Sequence, residues 1–200
     1  MSDQEYWKDR WTKQNPQVPN DFARETWWFL KDKNVSTLLD VGCGDGKDSI
    51  FFHKNNLKVT ALDFSESGVA KLRAKAPEIT ALQQEIPKIE FPDNSFDVIY
   101  AHLSLHYFDD ATTTKIFENL YTILKPGGFL FVKCKSVDDP LYGTGGKVGE
   151  DMFYLGHVRH FFSKTYMEEK LKSFKLISIQ ETRGMYHDGT AAFIEAIATK

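Results

Sequence analysis

Thr37-Leu38-Leu39-Asp40-Val41-Gly42-Cys43-Gly44-Asp45-Gly46-Lys47-Asp48 is the stretch on which the reading of the chain turns. Leu38 to Val41 is a short, nearly continuous apolar run, the pattern of a strand buried on both faces. It stops in glycines at positions 42, 44 and 46, and a helical pattern follows. Glycine serves where a backbone turns sharply, takes a positive φ, or must let a ligand approach without a Cβ in the way. A strand, a glycine turn and a helix N-terminus, in that order, build the ligand crevice of a doubly wound α/β sheet. The helix start offers free N–H groups and a partial positive charge, which suit a carboxylate or a phosphate.

Two details choose among ligands. The dinucleotide fingerprint is G-x-G-x-x-G, whereas Gly42-x-Gly44-x-Gly46 is one residue tighter. Asp40 also lies inside the strand end, where it would repel a pyrophosphate and attract an ammonium. S-adenosylmethionine (SAM) carries ammonium, carboxylate and ribose together. An acid followed by G-x-G-x-G closely resembles the first motif of the class I SAM-dependent methyltransferases. The resemblance implies that Asp40, Gly42, Gly44 and Gly46 hold the methionyl part of SAM.

Further motifs of that family follow in order. Leu57 to Asp63 reads as a second strand, and Asp63 lies about twenty residues beyond the glycine turn, where an acid can accept from both ribose hydroxyls. Phe64 follows it in the same strand-end position, and Ser65 is placed to cap the next helix. Ile79 to Leu82 reads as a third strand. Phe91-Pro92-Asp93-Asn94-Ser95-Phe96-Asp97-Val98-Ile99 is a turn entering a fourth strand, and Leu124-Lys125-Pro126-Gly127-Gly128 closes the helix expected over 109–125. Both are characteristic of the family, and the resemblance spans roughly residues 37–199. Glu85 stands where the family usually carries an Asp that accepts from the adenine amino group, and Ile86 would supply a backbone N–H and an apolar surface to the ring. His102 and His106 close the fourth strand over the crevice. Either could serve as a general base; His102 is also assigned to the cofactor, and His106 is the candidate preferred for the acceptor side.

Residues 3–13 and 20–33 read as two helices ahead of the sheet, broken by Asn15-Pro16-Gln17-Val18-Pro19. Trp7 and Trp11 share a helical face. Tyr6-Trp7-Lys8-Asp9-Arg10-Trp11 is similar to the W-x-x-x-W entry of thiopurine-type methyltransferases, which implies a lid. Trp11 would face the sulfonium, a natural partner for an aromatic ring, and Trp7 the acceptor. Asn20 or Asp21 is expected to cap the second helix. Residues 136–162 show no regular element, and their Gly, Tyr, His and Arg content marks a substrate-side loop. Tyr142, His157 and Arg159 there, with Tyr107, form the candidate acceptor pocket. Asp138 to Gly143 and Gly156 to Phe161 resemble small bacterial methyltransferases of the tellurite-resistance-like group. Ser163 would cap a helix to Phe174, and Lys175–Thr182 and Ala191–Thr199 read as a final β hairpin.

Composition bounds the rest. Two hundred residues is the size of one domain, here 1–200, with 1–34 as helical cap. A net charge of −3 provides no footprint for nucleic acid or anionic membrane. The D/N-P-P-Y/F run of amino-methylating DNA enzymes is missing after the fourth strand. Cys43 and Cys134 fall at core positions without metal-ligand spacing, so reduced thiols, a cytoplasmic setting and no metal are expected. The expectation is a Rossmann-like, seven-stranded, mostly parallel sheet with one antiparallel strand and helices on both faces. Its function would be methyl transfer from SAM to a small-molecule acceptor, leaving S-adenosylhomocysteine (SAH), by a monomer or homodimer. A non-catalytic SAM- or SAH-binding protein is the alternative.

Overall fold

The computed structural model describes residues 18–186 and 189–200. The helix expected over 3–13, with Trp7 and Trp11, lies outside the described residues. Helix α1 (Asp21–Leu30) leads into β1 (Thr37–Val41), α2 (Lys47–Lys54), β2 (Lys58–Asp63), α3 (Glu66–Lys75) and β3 (Thr80–Gln83). A single 3-10 turn (Ile86–Lys88) precedes β4 (Phe96–His102), α4 (Asp110–Ile123) and β5 (Leu124–Lys135). Three short strands follow, β6 (Gly146–Gly149), β7 (Met152–Leu155) and β8 (His157–His160). Then come α5 (Lys164–Lys170), β9 (Lys175–Tyr186) and β10 (Gly189–Thr199).

The main sheet has seven strands in the order β3-β2-β1-β4-β5-β10-β9. β10 runs antiparallel to both its neighbours, and every other pairing is parallel. Successive side chains of a strand point to opposite faces, and β1 shows the consequence. Leu38 packs with Phe22, Leu30, Phe52 and Leu72 of α1, α2 and α3 on one face. Leu39 and Val41 pack with Phe117 and Leu120 of α4, Met167 of α5 and Leu171 just after it on the other. Burial on both faces is why the parallel strands read as continuous apolar runs rather than alternating ones.

The sheet reverses its order between β1 and β4, and there the crevice opens at the carboxyl ends. Asp97 pins the opposite ends of the strands. Its carboxylate accepts from Ser36 and Thr37, through backbone and hydroxyl at 2.7–3.1 Å, and from Lys125 Nζ at 2.8 Å.

Several expectations are corrected. Residues 146–160 are not structureless: β6, β7 and β8 form an antiparallel three-stranded sheet of their own. Their short, glycine-interrupted runs carry no long period to read. Leu124-Lys125-Pro126-Gly127-Gly128 belongs to β5 rather than to a free turn. Gly127 N–H bonds to Lys200 O at 2.9 Å and Lys200 N–H to Gly128 O at 3.2 Å, so the chain end extends the pairing. The helices are trimmed at their ends, most at α5, where only Lys164–Lys170 is helical. Ser65 and Ser163 cap α3 and α5 as expected, accepting from Gly68 and Tyr166 N–H.

Candidate active site

The glycine turn has the conformation its sequence anticipates. Gly42, Gly44 and Gly46 all have positive φ, at 81°, 58° and 83°. Such values cost an L-residue with a Cβ about 1–2 kcal/mol each. Space adds a second reason: a Cβ on Gly46 would meet Leu72 Cδ1 at 2.4 Å, and one on Gly42 would meet Ser104 Cβ at 2.3 Å. Gly42 and Cys43 N–H both bond to Leu62 O, at 2.8 and 2.9 Å, which lashes the turn to β2.

Two carboxylates flank this turn. Asp63, at the end of β2, accepts from Gly44 N–H and Ser65 N–H, each at 2.9 Å. Asp40, at the end of β1, is 2% exposed and accepts from Ser49 Oγ. Burial, then the neighbouring charges of Asp48 and Asp63, push its carboxyl up to about 8, against the lowering effect of the Ser49 bond. Burial also raises Asp63, although its two backbone donors pull the other way. Among the described residues neither acid has a lysine or arginine partner, and a buried acid cluster without a cation favours a cationic ligand. An ammonium beside Asp40 and hydroxyl donors beside Asp63 fit the lone pairs left over, so the residues suit a sulfonium nucleoside.

Of the remaining cofactor candidates, Trp11 lies outside the described residues. Ile86 lies over the turn, with Cδ1 at 3.7 Å from a Cβ built on Gly42. Glu85 is exposed and paired with Lys88 at 2.9 Å. Phe64 is half-buried, and its carbonyl accepts from Gln83 Nε2 at 3.4 Å. His102 stands at the end of β4, on the same face as Tyr100, with the two rings 6.3 Å apart. Burial and then Lys133 and Lys47 lower its basicity to about 3.

Beyond β4 the chain brings a second group together. His106 is 1% exposed, and its Nδ1 has no hydrogen-bond partner among the described residues. Burial pushes its basicity well below the usual range, helped by the charges of Lys135 and Arg159. Its ring is 4.4 Å from Tyr107, which is 5.4 Å from His157. β8 delivers His157 and Arg159 because His160 N–H bonds to His106 O at 2.9 Å. Arg159 donates to Leu155 O at 3.2 Å. Tyr142 stands apart from this group: its hydroxyl donates to Asp151 at 2.6 Å and its ring packs against Phe153 and Phe161.

Three residues around the crevice escaped the sequence reading. Leu103 takes a positive φ of 56°, rare for a branched residue, and this kink at the end of β4 aims Ser104 over Gly42. Asn20 precedes α1, but its side chain does not cap that helix. It reaches Asp48 and His102 instead. Asp48 was visible as an acid in the first turn of α2, yet nothing local assigned it a partner 28 positions away.

Known proteins share the fold. Residues 38–128 match a family model described as a methyltransferase domain. The malonyl-[acyl-carrier protein] O-methyltransferase of Enterobacter lignolyticus is 31% identical over 101 residues, covering 50% of this chain and 39% of that protein. The chain spans 39–50% of the length of the curated relatives it matches. Among solved structures, a SAM-dependent methyltransferase from Methanosarcina mazei aligns with a TM-score of 0.77 at 18% identity, covering 86% of this chain and 96% of that one. The 1,6-didemethyltoxoflavin-N1-methyltransferase of Burkholderia thailandensis, solved with its substrate and SAH, aligns at 0.72 and 18% identity, covering 98% and 83%. At such identities the structural likeness speaks for the fold, and the family match speaks for the kind of domain. Motif order, sheet order and the match over residues 38–128 together make this chain similar to SAM-dependent methyltransferase domains.

Proposed function

We propose that the protein transfers the methyl group of SAM to a small-molecule acceptor by in-line displacement. The observation that carries this reading is the buried pair Asp40 and Asp63, which has no lysine or arginine partner among the described residues, on either side of a glycine turn at the carboxyl edge of the sheet. Asp40 and the turn would hold the methionyl end, Asp63 the ribose, and Glu85 with Ile86 the adenine. Phe64 and His102 border the same crevice, and Trp11 is proposed to face the sulfonium.

When bound, SAM supplies an electrophilic methyl group: the acceptor's lone pair forms the new bond while the carbon–sulfur pair returns to sulfur as SAH. The residues of the chain contribute position and environment. Holding the nucleophile in line can supply about 7–11 kcal/mol of the barrier without any covalent enzyme group. His106, Tyr107, His157 and Arg159 form the proposed acceptor side, with Tyr142 and Trp7 at its periphery. His106 is the candidate to take a proton from the acceptor. Its depressed basicity makes it a weak base, matched to acceptors that release a proton easily or need no base at all. The chain is proposed to act as one domain, in the cytoplasm, as a monomer or homodimer, with no nucleic-acid or membrane partner. Among the described residues no helix is long and apolar enough to cross a membrane.

The test is an SAH-release screen over thiols, amines, carboxylates, hydroxylated aromatics and chalcogen oxyanions, paired with calorimetry against SAM, SAH and NAD. Micromolar SAM binding with turnover on one acceptor class is the expected result. NAD binding without SAM binding would overturn the assignment.

A further inference from the structure

Asn20, just ahead of α1, sits between two elements of the crevice. Its backbone N–H donates to Asp48 Oδ1 at 2.8 Å, and its side-chain Nδ2 donates to Asp48 Oδ2 at 2.7 Å. Nδ2 is also 3.0 Å from His102 Nδ1. Tyr100 hydroxyl donates a third bond to Asp48, at 2.9 Å, so Asp48 is surrounded by donors. A carboxylate only accepts hydrogen bonds. The amide atom facing Asp48 must therefore be the nitrogen, which removes the usual ambiguity of an asparagine flip. One hydrogen of that nitrogen goes to Asp48, and the other points at His102 Nδ1. An imidazole nitrogen that accepts carries no proton, so in the neutral ring the proton resides on the other nitrogen.

We infer that Asn20 is a positioning residue that holds His102 as the Nε2–H tautomer, a hydrogen-bond donor rather than a base, at the mouth of the crevice. The charges facing His102 agree with a neutral ring. Lys133 is its register neighbour on β5, Lys47 opens α2, and Glu195 on β10 is paired with Lys133 at 2.6 Å. His102 is half-buried and its Nε2 makes no hydrogen bond to a described residue, which leaves that nitrogen available to an oxygen acceptor on a ligand. The class of group it would take is a carboxylate or carbonyl oxygen. If the proposed methyl transfer holds, His102 is thereby removed from the candidates for general base, and His106 is left. The same contacts tie Asn20, just ahead of α1, to the first turn of α2.

The test reads the tautomer directly in the ligand-free protein, so it does not depend on SAM binding. The protein is labelled with 15N-histidine, and two-bond 15N–1H correlation spectra are recorded from pH 6 to 8, with Asn20→Ala and His102→Gln variants for comparison and assignment. The expected wild-type result is His102 with a bare Nδ1 and a protonated Nε2, invariant over that range. In Asn20→Ala, shown folded by its other histidine signals, the two His102 nitrogen shifts should draw together as the tautomers mix. A wild-type His102 protonated on Nδ1, or titrating in that range, overturns the inference without any variant. So does an unchanged Nε2–H signature in folded Asn20→Ala. Adding SAH or small carboxylates to the wild type then reports whether the Nε2 resonance moves while the tautomer stays.

Discussion

Gly44 donates its backbone N–H to Asp63 Oδ2 across 2.9 Å, so the glycine turn and the end of β2 form one hydrogen-bonded unit. The acid proposed to receive the ribose is thus also the acid that shapes the turn beneath it, and its loss should be felt twice.

Asp63→Ala is expected to weaken SAM binding by about 1–3 kcal/mol, the range for hydrogen bonds to a charged group. Asp63→Asn keeps one acceptor oxygen and should fall between variant and wild type. Calorimetry with SAM checks this, and equal affinities for wild type and Asp63→Ala would show that the acid does not contact the ribose.

Asp40 predicts a pH dependence. Its folded carboxyl titrates at about 8, above the unfolded value of roughly 3.9. The protonated form is therefore favoured by folding. The stability it contributes is full below the unfolded value and is lost as pH rises through the folded one. The ligand-free protein should lose stability between about pH 4 and 8 through this group, and Asp40→Asn should flatten that slope in denaturant titrations. An ammonium ligand reverses the preference. SAM binding should expel a proton, tighten from pH 6 to 8, and show a heat that depends on the ionisation enthalpy of the buffer. A buffer-independent heat would sink the idea.

Gly46→Ala should destabilise the fold by about 2–5 kcal/mol, the sum of an unfavourable backbone region and overpacking. The added methyl would sit 2.4 Å from Leu72 Cδ1, at a φ of 83°. Adding Leu72→Ala relieves the clash but leaves the backbone cost. A double-mutant cycle by chemical denaturation separates the two, with a coupling energy opposite in sign to the single losses.

Asp97 should matter for stability and not for the cofactor. Burial raises its carboxyl, but the bonds from Lys125, Thr37 and Ser36 outweigh that and hold it well below the usual carboxylate range. A depressed group contributes stability above its unfolded pKa and loses it as pH falls through the folded one. Asp97→Ala should cost about 1.5–3 kcal/mol at neutral pH, and the cost should shrink in acid. SAM affinity of the folded variant, measured by calorimetry, should equal that of the wild type.

The glycine turn and the acids beside it were legible because their signals are local. A glycine at every second position, Asp40 before the turn and Asp63 after the next strand are properties of short windows, and window patterns fix strand, turn and helix start. Phe91 to Ile99 and Leu124 to Gly128 were legible as motifs, but that the latter extends β5 depends on Lys200, which lies far along the chain. The small sheet of β6, β7 and β8 was missed because its four-residue strands carry no period of their own and exist only by pairing with one another.

The succession of the main-sheet strands and the helices between them, the positive-φ turn and the acids beside it follow from amino-acid pattern alone, since backbone sterics and side-chain period act over a few residues. The partnership of Asn20 with Asp48 and His102, the kink at Leu103 that lowers Ser104 onto Gly42, and the meeting of Tyr107 with His157 belong to the folded molecule. Each joins residues dozens of positions apart, and such contacts exist only once the chain has closed on itself.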